Sequence, residues 1–245
     1  MTTTATVPSR IPAHPAPARR KSALLRHFNG DFRHLTLDQI YDLAEALHGR
    51  AVPGITMTEA EFAAWCDKDV RAEWVDGRIF LMAPANLEHD DLHTWLTTLV
   101  RSFVEEHDAG QVFHDVFVRL TGQHRRRVPD LLFVAADRAH IQKPTFLDGA
   151  PDLLIEIVSP DSQSRDRRDK YLEYEKAGVR EYWIIDPLSK TAEVYELHRK
   201  KYRLISDSDG VVASVALKDF KLKTGNLWQK PLPKVAGVLK QMTRL

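Results

Sequence analysis

The chain has 245 residues, of which 43% are hydrophobic and 28% charged, so it can form one domain plus an extension. Its formal net charge of +1 neither favours nor excludes nucleic acid as a partner. The single cysteine, Cys66, excludes an internal disulfide framework and is typical of a reducing compartment, so we expect a cytoplasmic protein. No apolar run approaches membrane-spanning length, and no membrane partner is expected.

Residues 1–50 differ in composition from the rest of the chain. Residues 1–30 contain no Asp or Glu, and their basic residues are Arg10, Arg19, Arg20, Lys21 and Arg26. We predict a basic, Pro/Ala-rich, partly disordered extension over residues 1–50, with an accessory helix over Thr36–Leu47. Such an arm can contact phosphates without sequence preference, although an organelle transit peptide has a similar composition.

Residues 51–245 are predicted to form the main domain. Thr58-Glu59-Ala60-Glu61 is typical of a helix-opening capping box, and Asp76-Gly77 predicts a tight hairpin within Arg71–Met82. The predicted elements that follow are a helix over Leu87–His107, a strand over Val112–Leu120, two acid-bearing strands, a loop over Asp137–Ala150 between them, a helix over Gln163–Ala177, a strand over Glu181–Asp186, a hairpin of Thr191–Leu197 and Lys201–Ile205, and a strand over Val211–Leu217. This order predicts an α/β fold with a mixed β-sheet flanked by helices.

The two acid-bearing strands carry most of the functional information. Val128–Val134 and Asp152–Pro160 are apolar runs typical of buried strands, yet they contain Asp130 and Glu156 respectively. A single such acid is more often a strand cap or the partner of an arginine. Two acids on consecutive buried strands, followed by a basic helix, favour a shared site, and two carboxylates are suitable ligands for Mg²⁺ or Mn²⁺.

A second Pro-Asp dipeptide, Pro151-Asp152, offers another partner for Glu156. Asp152 and Glu156 lie four residues apart on one strand, so their Cα atoms are about 13 Å apart. That separation is too large for both carboxylates to bind one ion directly. Asp130, on the preceding strand, is therefore the better candidate.

The motifs resemble a known group of nucleases. Pro129-Asp130 followed by Glu156 is similar to the PD-(D/E)XK nuclease superfamily, which has the restriction-endonuclease-like fold. The runs GAPDLLIEIVSP (149–160), DRRDKY (166–171) and GVREYWIIDP (178–187) resemble the Uma-two (Uma2) family within it. The resemblance extends over Thr56–Leu217. It implies a Mg²⁺- or Mn²⁺-dependent endonuclease that hydrolyses nucleic-acid phosphodiesters, with DNA the expected partner, and it leaves RNA and a homodimer open.

The chain departs from the superfamily pattern where that pattern has a lysine. The usual lysine, two residues after the strand-borne acid, is replaced by Val158. The resemblance implies that Lys170, on the following helix, takes its place and serves the attacking water and the phosphate charge. It also makes Glu73 a third acid of the site. The alternative for Lys170 is a solvated residue paired with Asp166, and a non-catalytic nucleic-acid- or protein-binding descendant is the alternative for the whole chain.

Two weaker patterns lie near these acids. His89 and His93 stand at i, i+4 as in zinc-binding helices, but Asp90 occupies the place of the usual general-base Glu and no third ligand is evident nearby. His89 alone matches a histidine of the Uma2 family and is expected near the acids. The run His124–Arg127 suits contact with a phosphate backbone, although most charge clusters of this kind are exposed turns.

Overall fold

The computed structural model describes residues 35–66, 70–120, 122–159, 165–205 and 210–242; the predicted arm of residues 1–30 lies outside these ranges. The helices in these ranges are α1 (Leu37–Leu47), α2 (Glu59–Trp65), α3 (Leu87–Glu106), α4 (Arg165–Ala177) and α5 (Val235–Met242), with 3₁₀ turns at Ala136–Ile141 and Thr224–Trp228. The strands are β1 (Ala72–Val75), β2 (Arg78–Leu81), β3 (Gly110–Phe113), β4 (Phe117–Leu120), β5 (Arg125–Arg127), β6 (Leu131–Ala135), β7 (Phe146–Asp148), β8 (Leu153–Ile157), β9 (Glu181–Asp186), β10 (Thr191–His198), β11 (Lys201–Leu204), β12 (Val211–Ala213) and β13 (Lys221–Lys223). Within the described residues, no helix has the length and apolar character needed to cross a bilayer.

The centre of the fold is a six-stranded sheet in the order β11-β10-β9-β8-β6-β3. β8 and β9 run parallel and their other neighbours run antiparallel, so the sheet is mixed. Leu153, Ile155 and Ile157 of β8 pack with α3 and α5 on one face. Leu154 and Val158 pack with α4 on the other. The predicted mixed-sheet α/β class is therefore confirmed.

A second sheet, in the order β2-β1-β5-β4-β7, lies beside the first. α1 and α2 cover it, and Leu43 and Phe62 share one buried cluster with Trp74 and Ile79 of its strands. α1 begins at the capping Thr36 and ends at His48, whose φ of 47° is left-handed. The accessory helix that we placed in the extension thus packs directly against β2.

The helix cap, the hairpin turn and one strand lie where the sequence predicted them. Thr58 and Glu61 form the predicted capping box, with the Thr58 amide donating to Glu61 at 2.7 Å and the Glu61 amide to Thr58 at 3.2 Å. Asp76 and Gly77 both have positive φ and join β1 to β2 as predicted. The strand Glu181–Asp186 has its predicted bounds.

Three predicted elements have different bounds. The single strand over Val112–Leu120 is wrong, because Asp115 turns the chain at φ 54° and sends β3 and β4 into different sheets. The predicted loop over Asp137–Ala150 contains β7. The strand predicted over Val211–Leu217 ends at Ala213, because the next residues bend so that the amides of Val215 and Ala216 donate to buried Glu181.

Close packing of β3 on β6 requires a glycine at position 110. Gly110 has φ 151°, and an added Cβ would lie 2.1 Å from the carbonyl oxygen of Val134. We expect Gly110→Ala to lower the free energy of unfolding by about 3 kcal/mol or more, measured by chemical denaturation. Gly237→Ala in α5, where a Cβ meets nothing within 4 Å, should be neutral or stabilise by up to about 1 kcal/mol. Equal denaturation midpoints for the two variants would contradict this account.

Candidate active site

The strand register brings the two predicted acids face to face. β6 and β8 pair antiparallel, with Leu131 opposite Ile155. One residue further along, this register places Asp130 opposite Glu156, and directly opposed side chains lie on the same face of a sheet. The amide of Ile157 donates to Asp130 Oδ2 at 2.7 Å, which fixes the carboxylate beside the end of β8.

Asp130 is also held by two histidines of α3. His89 Nε2 lies 3.6 Å from Asp130 Oδ2 and donates to the Ile157 carbonyl at 3.2 Å. His93 Nε2 donates to the carbonyl of Asp130 itself at 2.7 Å. The first turns of α3, opened by the capping Asn86, therefore fix both the side chain and the main chain of this acid.

Lys170 reaches Glu156 from α4. Its Nζ lies 3.1 Å from both Glu156 carboxylate oxygens and 3.5 Å from Glu73 Oε1. Val158, which stands where the superfamily pattern has its lysine, instead packs in the apolar cluster beneath α4. The ammonium group beside Glu156 therefore comes from helix α4, because Val158, directly after β8, has no charged group to offer.

Tyr174 is a contact of the site that the sequence analysis did not identify. It lies one turn after Lys170 on the same face of α4, is fully buried, and donates its hydroxyl to Glu156 Oε1 at 2.8 Å. The sequence signal was available in the i, i+4 spacing from Lys170. A buried tyrosine usually finds a partner for its hydroxyl, and here that partner is the acid.

Glu73 lies in the middle of β1 and is 4% exposed. It accepts from Arg127 Nη1 at 2.6 Å and from the Val128 amide at 3.1 Å. Arg127 in turn makes two bonds to Glu173, at 2.8 and 3.0 Å. Glu73 is therefore tied both to this buried network and to Lys170.

The arginine run is not a free basic loop. β5 consists of these arginines, and each is engaged in an ion pair: Arg125 with Asp76 and Glu173, Arg126 with Glu59, and Arg127 with Glu73 and Glu173. The structure therefore supports neither the phosphate-binding loop nor the exposed turn that the sequence suggested. Their charge is used to hold Glu73 and Glu173 in the fold.

The acids differ in their electrostatic state. Burial raises the pKa of Glu156, and the charges of Asp130 and Glu73 raise it further against Lys170 and the Tyr174 hydroxyl, to about 7. Burial also acts on Glu73, but the charges of Lys170 and Arg127 outweigh it and lower its pKa to about 2. Despite burial, His89 and the Ile157 amide lower the pKa of Asp130. The charged form of Glu156 is thus disfavoured by its surroundings, whereas the charged forms of Glu73 and Asp130 are favoured by theirs.

Asp152, the rejected partner, serves the fold instead. Its carboxylate accepts from the Ala135 amide at 2.9 Å and from Arg138 at 2.8 Å. Both contacts lie at the opposite end of β8 from Glu156. This placement agrees with the strand-geometry argument against a shared ion.

A comparison with known protein families identifies the family of this chain. The model of the Uma2 family, described as "putative restriction endonuclease", matches residues 59–225, which is more than half of the chain. The chain belongs to the Uma2 family. This match includes every residue of the acidic cluster and its lysine.

Two individual proteins are similar to this Uma2 chain. An uncharacterized protein of Synechocystis sp. is 21% identical over 150 residues, or 60% of this chain and 78% of its own length. A crystal structure from Anabaena variabilis, described as a putative nuclease belonging to DUF820, is 23% identical, with a TM-score of 0.58 over 70% of this chain and 97% of that one. The structural likeness shows a shared fold.

The acids and the lysine of this Uma2 chain line a single open cavity of about 230 Å³. Glu73, Asp130, Glu156, Lys170 and His89 all line it. The end of α1 and the segment after β2 line it as well, although α1 precedes the residues that the family model matches. The end of α1 therefore borders the same cavity as the acids.

Proposed function

We propose that this protein is a metal-dependent endonuclease that hydrolyses nucleic-acid phosphodiester bonds, with DNA as the expected substrate. The supporting observation is the convergence of Glu73, Asp130, Glu156 and Lys170 in one cavity of a Uma2 chain. An aspartate directly before β6, a glutamate on β8 and a lysine on α4 supply the groups that phosphodiester hydrolysis needs. The catalytic roles of these residues are part of the proposal.

The donor set fits a hard divalent cation. Mg²⁺ and Mn²⁺ prefer carboxylate and water oxygens, and Asp130 and Glu156 present carboxylates side by side in the cavity. Burial and the charges of Asp130 and Glu73 raise the pKa of Glu156, and a cation bound beside it would favour its charged form. Asp130 and Glu156 would therefore hold the ion. When bound, such an ion supplies an activated water and stabilises developing phosphate charge.

The side chains around the acids have distinct tasks in this proposal. Lys170 donates to the attacking water and to a phosphate oxygen, as a cation held in place by Glu156 and Glu73. Glu73, held ionised by Arg127, fixes the position of the Lys170 ammonium group. Tyr174 orients the carboxylate of Glu156 from behind.

The proposal is tested by incubating the purified protein with single-stranded, duplex and branched DNA and with RNA. Cleavage is expected in Mg²⁺ or Mn²⁺ and is expected to stop in EDTA. The matched control is Asp130→Asn, which keeps an oxygen that can accept from the Ile157 amide but removes the charge. If no substrate is cut by the wild type above the level of Asp130→Asn, the nuclease proposal fails.

One observation favours a second candidate function. Val158 occupies the usual lysine position, as expected if the chain were a non-catalytic descendant that binds nucleic acid or a protein. Such a descendant would bind nucleic acid equally in EDTA and in Mg²⁺ and would never cut it. The contact of Lys170 with Glu156 at 3.1 Å favours the catalytic candidate.

Removal of the Tyr174 hydroxyl tests the support of Glu156. We expect Tyr174→Phe to reduce cleavage or metal affinity by about 10- to 100-fold, because groups that orient a metal ligand typically have effects of this size. The measurement is the cleavage rate as a function of metal concentration. Tyr171→Phe on the same helix, whose hydroxyl lies 3.5 Å from the Tyr202 carbonyl, should change little. Equal losses in both variants would point to a general disturbance of α4.

A further inference from the structure

A second group of potential metal ligands lies beside the acidic cavity. His93, His114 and Asp115 each offer a ligand atom, and these three atoms lie within 4.8 Å of one another. His93 comes from α3, whereas His114 and Asp115 form the turn between β3 and β4. We propose that this group is a separate site for a divalent transition metal ion of the Zn²⁺ class.

The donor types distinguish this site from the carboxylate cluster. Two imidazoles and one carboxylate form a set that suits Zn²⁺ or Co²⁺, with a water in the fourth position. Mg²⁺ prefers all-oxygen surroundings and has little affinity for imidazole. The two neighbouring sites therefore select different ions.

The hydrogen bond of His93 prepares it to bind a metal. Its Nε2 lies 2.7 Å from the carbonyl oxygen of Asp130. A carbonyl can only accept, so Nε2 carries the proton and Nδ1 carries the lone pair. Metal-binding histidines characteristically donate their other ring N–H to a carbonyl or carboxylate in this way.

Asp115 is oriented in a similar manner. Its Oδ1 accepts from Arg71, while Oδ2 accepts from His114 Nδ1 at 3.3 Å. Arg71 thus holds one oxygen and the other lies against His114, where a bound ion would replace the proton on that nitrogen. A ligating carboxylate whose second oxygen is hydrogen-bonded is the usual arrangement at protein metal sites.

The movement needed for binding is small. Tetrahedral coordination at about 2.1 Å places ligand atoms about 3.4 Å apart, so the present separations must shorten by at most about 1.4 Å. His114 and Asp115 are exposed, and rotation of the His114 side chain towards the partly buried His93 would bring the ligand atoms closer together. The rings of His93 and His114 are already in edge contact, with centroids 5.4 Å apart.

The sequence pattern suggested a different pair. His89 and His93 have the helical spacing of zinc ligands and their rings are stacked, but His89 donates its Nε2–H to the Ile157 carbonyl and contacts Asp130. The tertiary fold instead supplies His114 and Asp115 as the missing partners of His93. Because His93 also holds the Asp130 main chain, an ion at this site would fix the position of that acid.

The test is a titration of the full-length protein with Co²⁺ alone, followed by its visible absorption and by calorimetry, with Zn²⁺ as competitor. The wild type should bind one Co²⁺ with tetrahedral absorption bands that Zn²⁺ removes. His114→Ala and Asp115→Asn should each weaken this binding at least tenfold. Both residues are exposed, so both variants should fold normally.

Two controls separate this site from other locations on the chain. His140→Ala removes an exposed histidine elsewhere and should bind Co²⁺ like the wild type. Glu156→Gln alters the acidic cluster and should also retain the bands. Unchanged affinity in His114→Ala, or loss of the bands in Glu156→Gln, would overturn the proposal. The readout requires no nuclease activity, so it stands or fails independently of the proposed function.

Discussion

Replacement of Lys170 by methionine is expected to reduce nucleic-acid cleavage by about 100- to 1,000-fold, the usual effect of removing one preorganised donor to transition-state charge. The Lys170 ammonium group contacts both Glu156 and Glu73. Methionine keeps an unbranched side chain that is one atom shorter but leaves these carboxylates without that cation. The measurement is the single-turnover cleavage rate at saturating metal.

Binding should respond differently from cleavage. Lys170 lines the cavity, and most contacts with a nucleic-acid backbone would form outside it, so the dissociation constant of Lys170→Met should stay within about threefold of the wild type. Lys176→Met is the matched control, because Lys176 is an exposed lysine on the same helix. If Lys170→Met cuts at the wild-type rate, the relocated-lysine proposal is wrong.

Local patterns were sufficient to predict the strand that carries Glu156. The alternation of β8 placed Leu154, Glu156 and Val158 on one face, and the structure packs Leu154 and Val158 with α4. This argument succeeds because period-two alternation is a local property of the chain. The place of Lys170 in the site, by contrast, was predicted only from the resemblance to the Uma2 family, and the structure brings its ammonium group to Glu156.

The remainder of the site depends on contacts distant in sequence. Arg127 meets Glu73 across 54 positions and Glu173 across 46, and nothing local to the arginine run reveals these partners. Because of these pairings, the arginines that were expected in a loop form strand β5 instead. The partnership of His93 with His114 and Asp115 arises in the same way, because β3 and β4 separate at Asp115 and bring that turn to α3.

The acidic cluster also has a cost for stability. A buried carboxylate whose pKa is raised resists ionisation in the folded state, so it opposes folding once the surrounding pH ionises it. Natural proteins retain such groups at functional sites because a bound ligand relieves the repulsion. For this protein the relieving ligand is the divalent ion proposed at Asp130 and Glu156.

Glu156→Gln should therefore raise the stability of the metal-free protein. It should also remove the gain in stability that the wild type shows when the ion is added. The pKa of Glu156 rises from 4.5 to about 7 on folding, so the wild type loses stability as the pH rises through this window. At pH 8 in EDTA, Glu156→Gln should be more stable than the wild type by up to about 3 kcal/mol, and at pH 4 the two should converge. Thermal and chemical unfolding measure the difference.

The same variant tests the ion itself. Mg²⁺ or Mn²⁺ at about 100 times its dissociation constant should stabilise the wild type by about 2.7 kcal/mol, because it binds the folded state alone. The introduced glutamine side chain keeps an acceptor for Tyr174 but offers no charge, so the variant should gain little stability from the ion and should not cut nucleic acid. Glu105→Gln, at an exposed position of α3, should respond to the metal like the wild type. If metal stabilises Glu156→Gln as strongly as the wild type, the ion binds elsewhere and Glu156 is not its ligand. If the variant is less stable than the wild type in EDTA at pH 8, the contacts with Lys170 and Tyr174 outweigh the effects of burial and of the Asp130 and Glu73 charges.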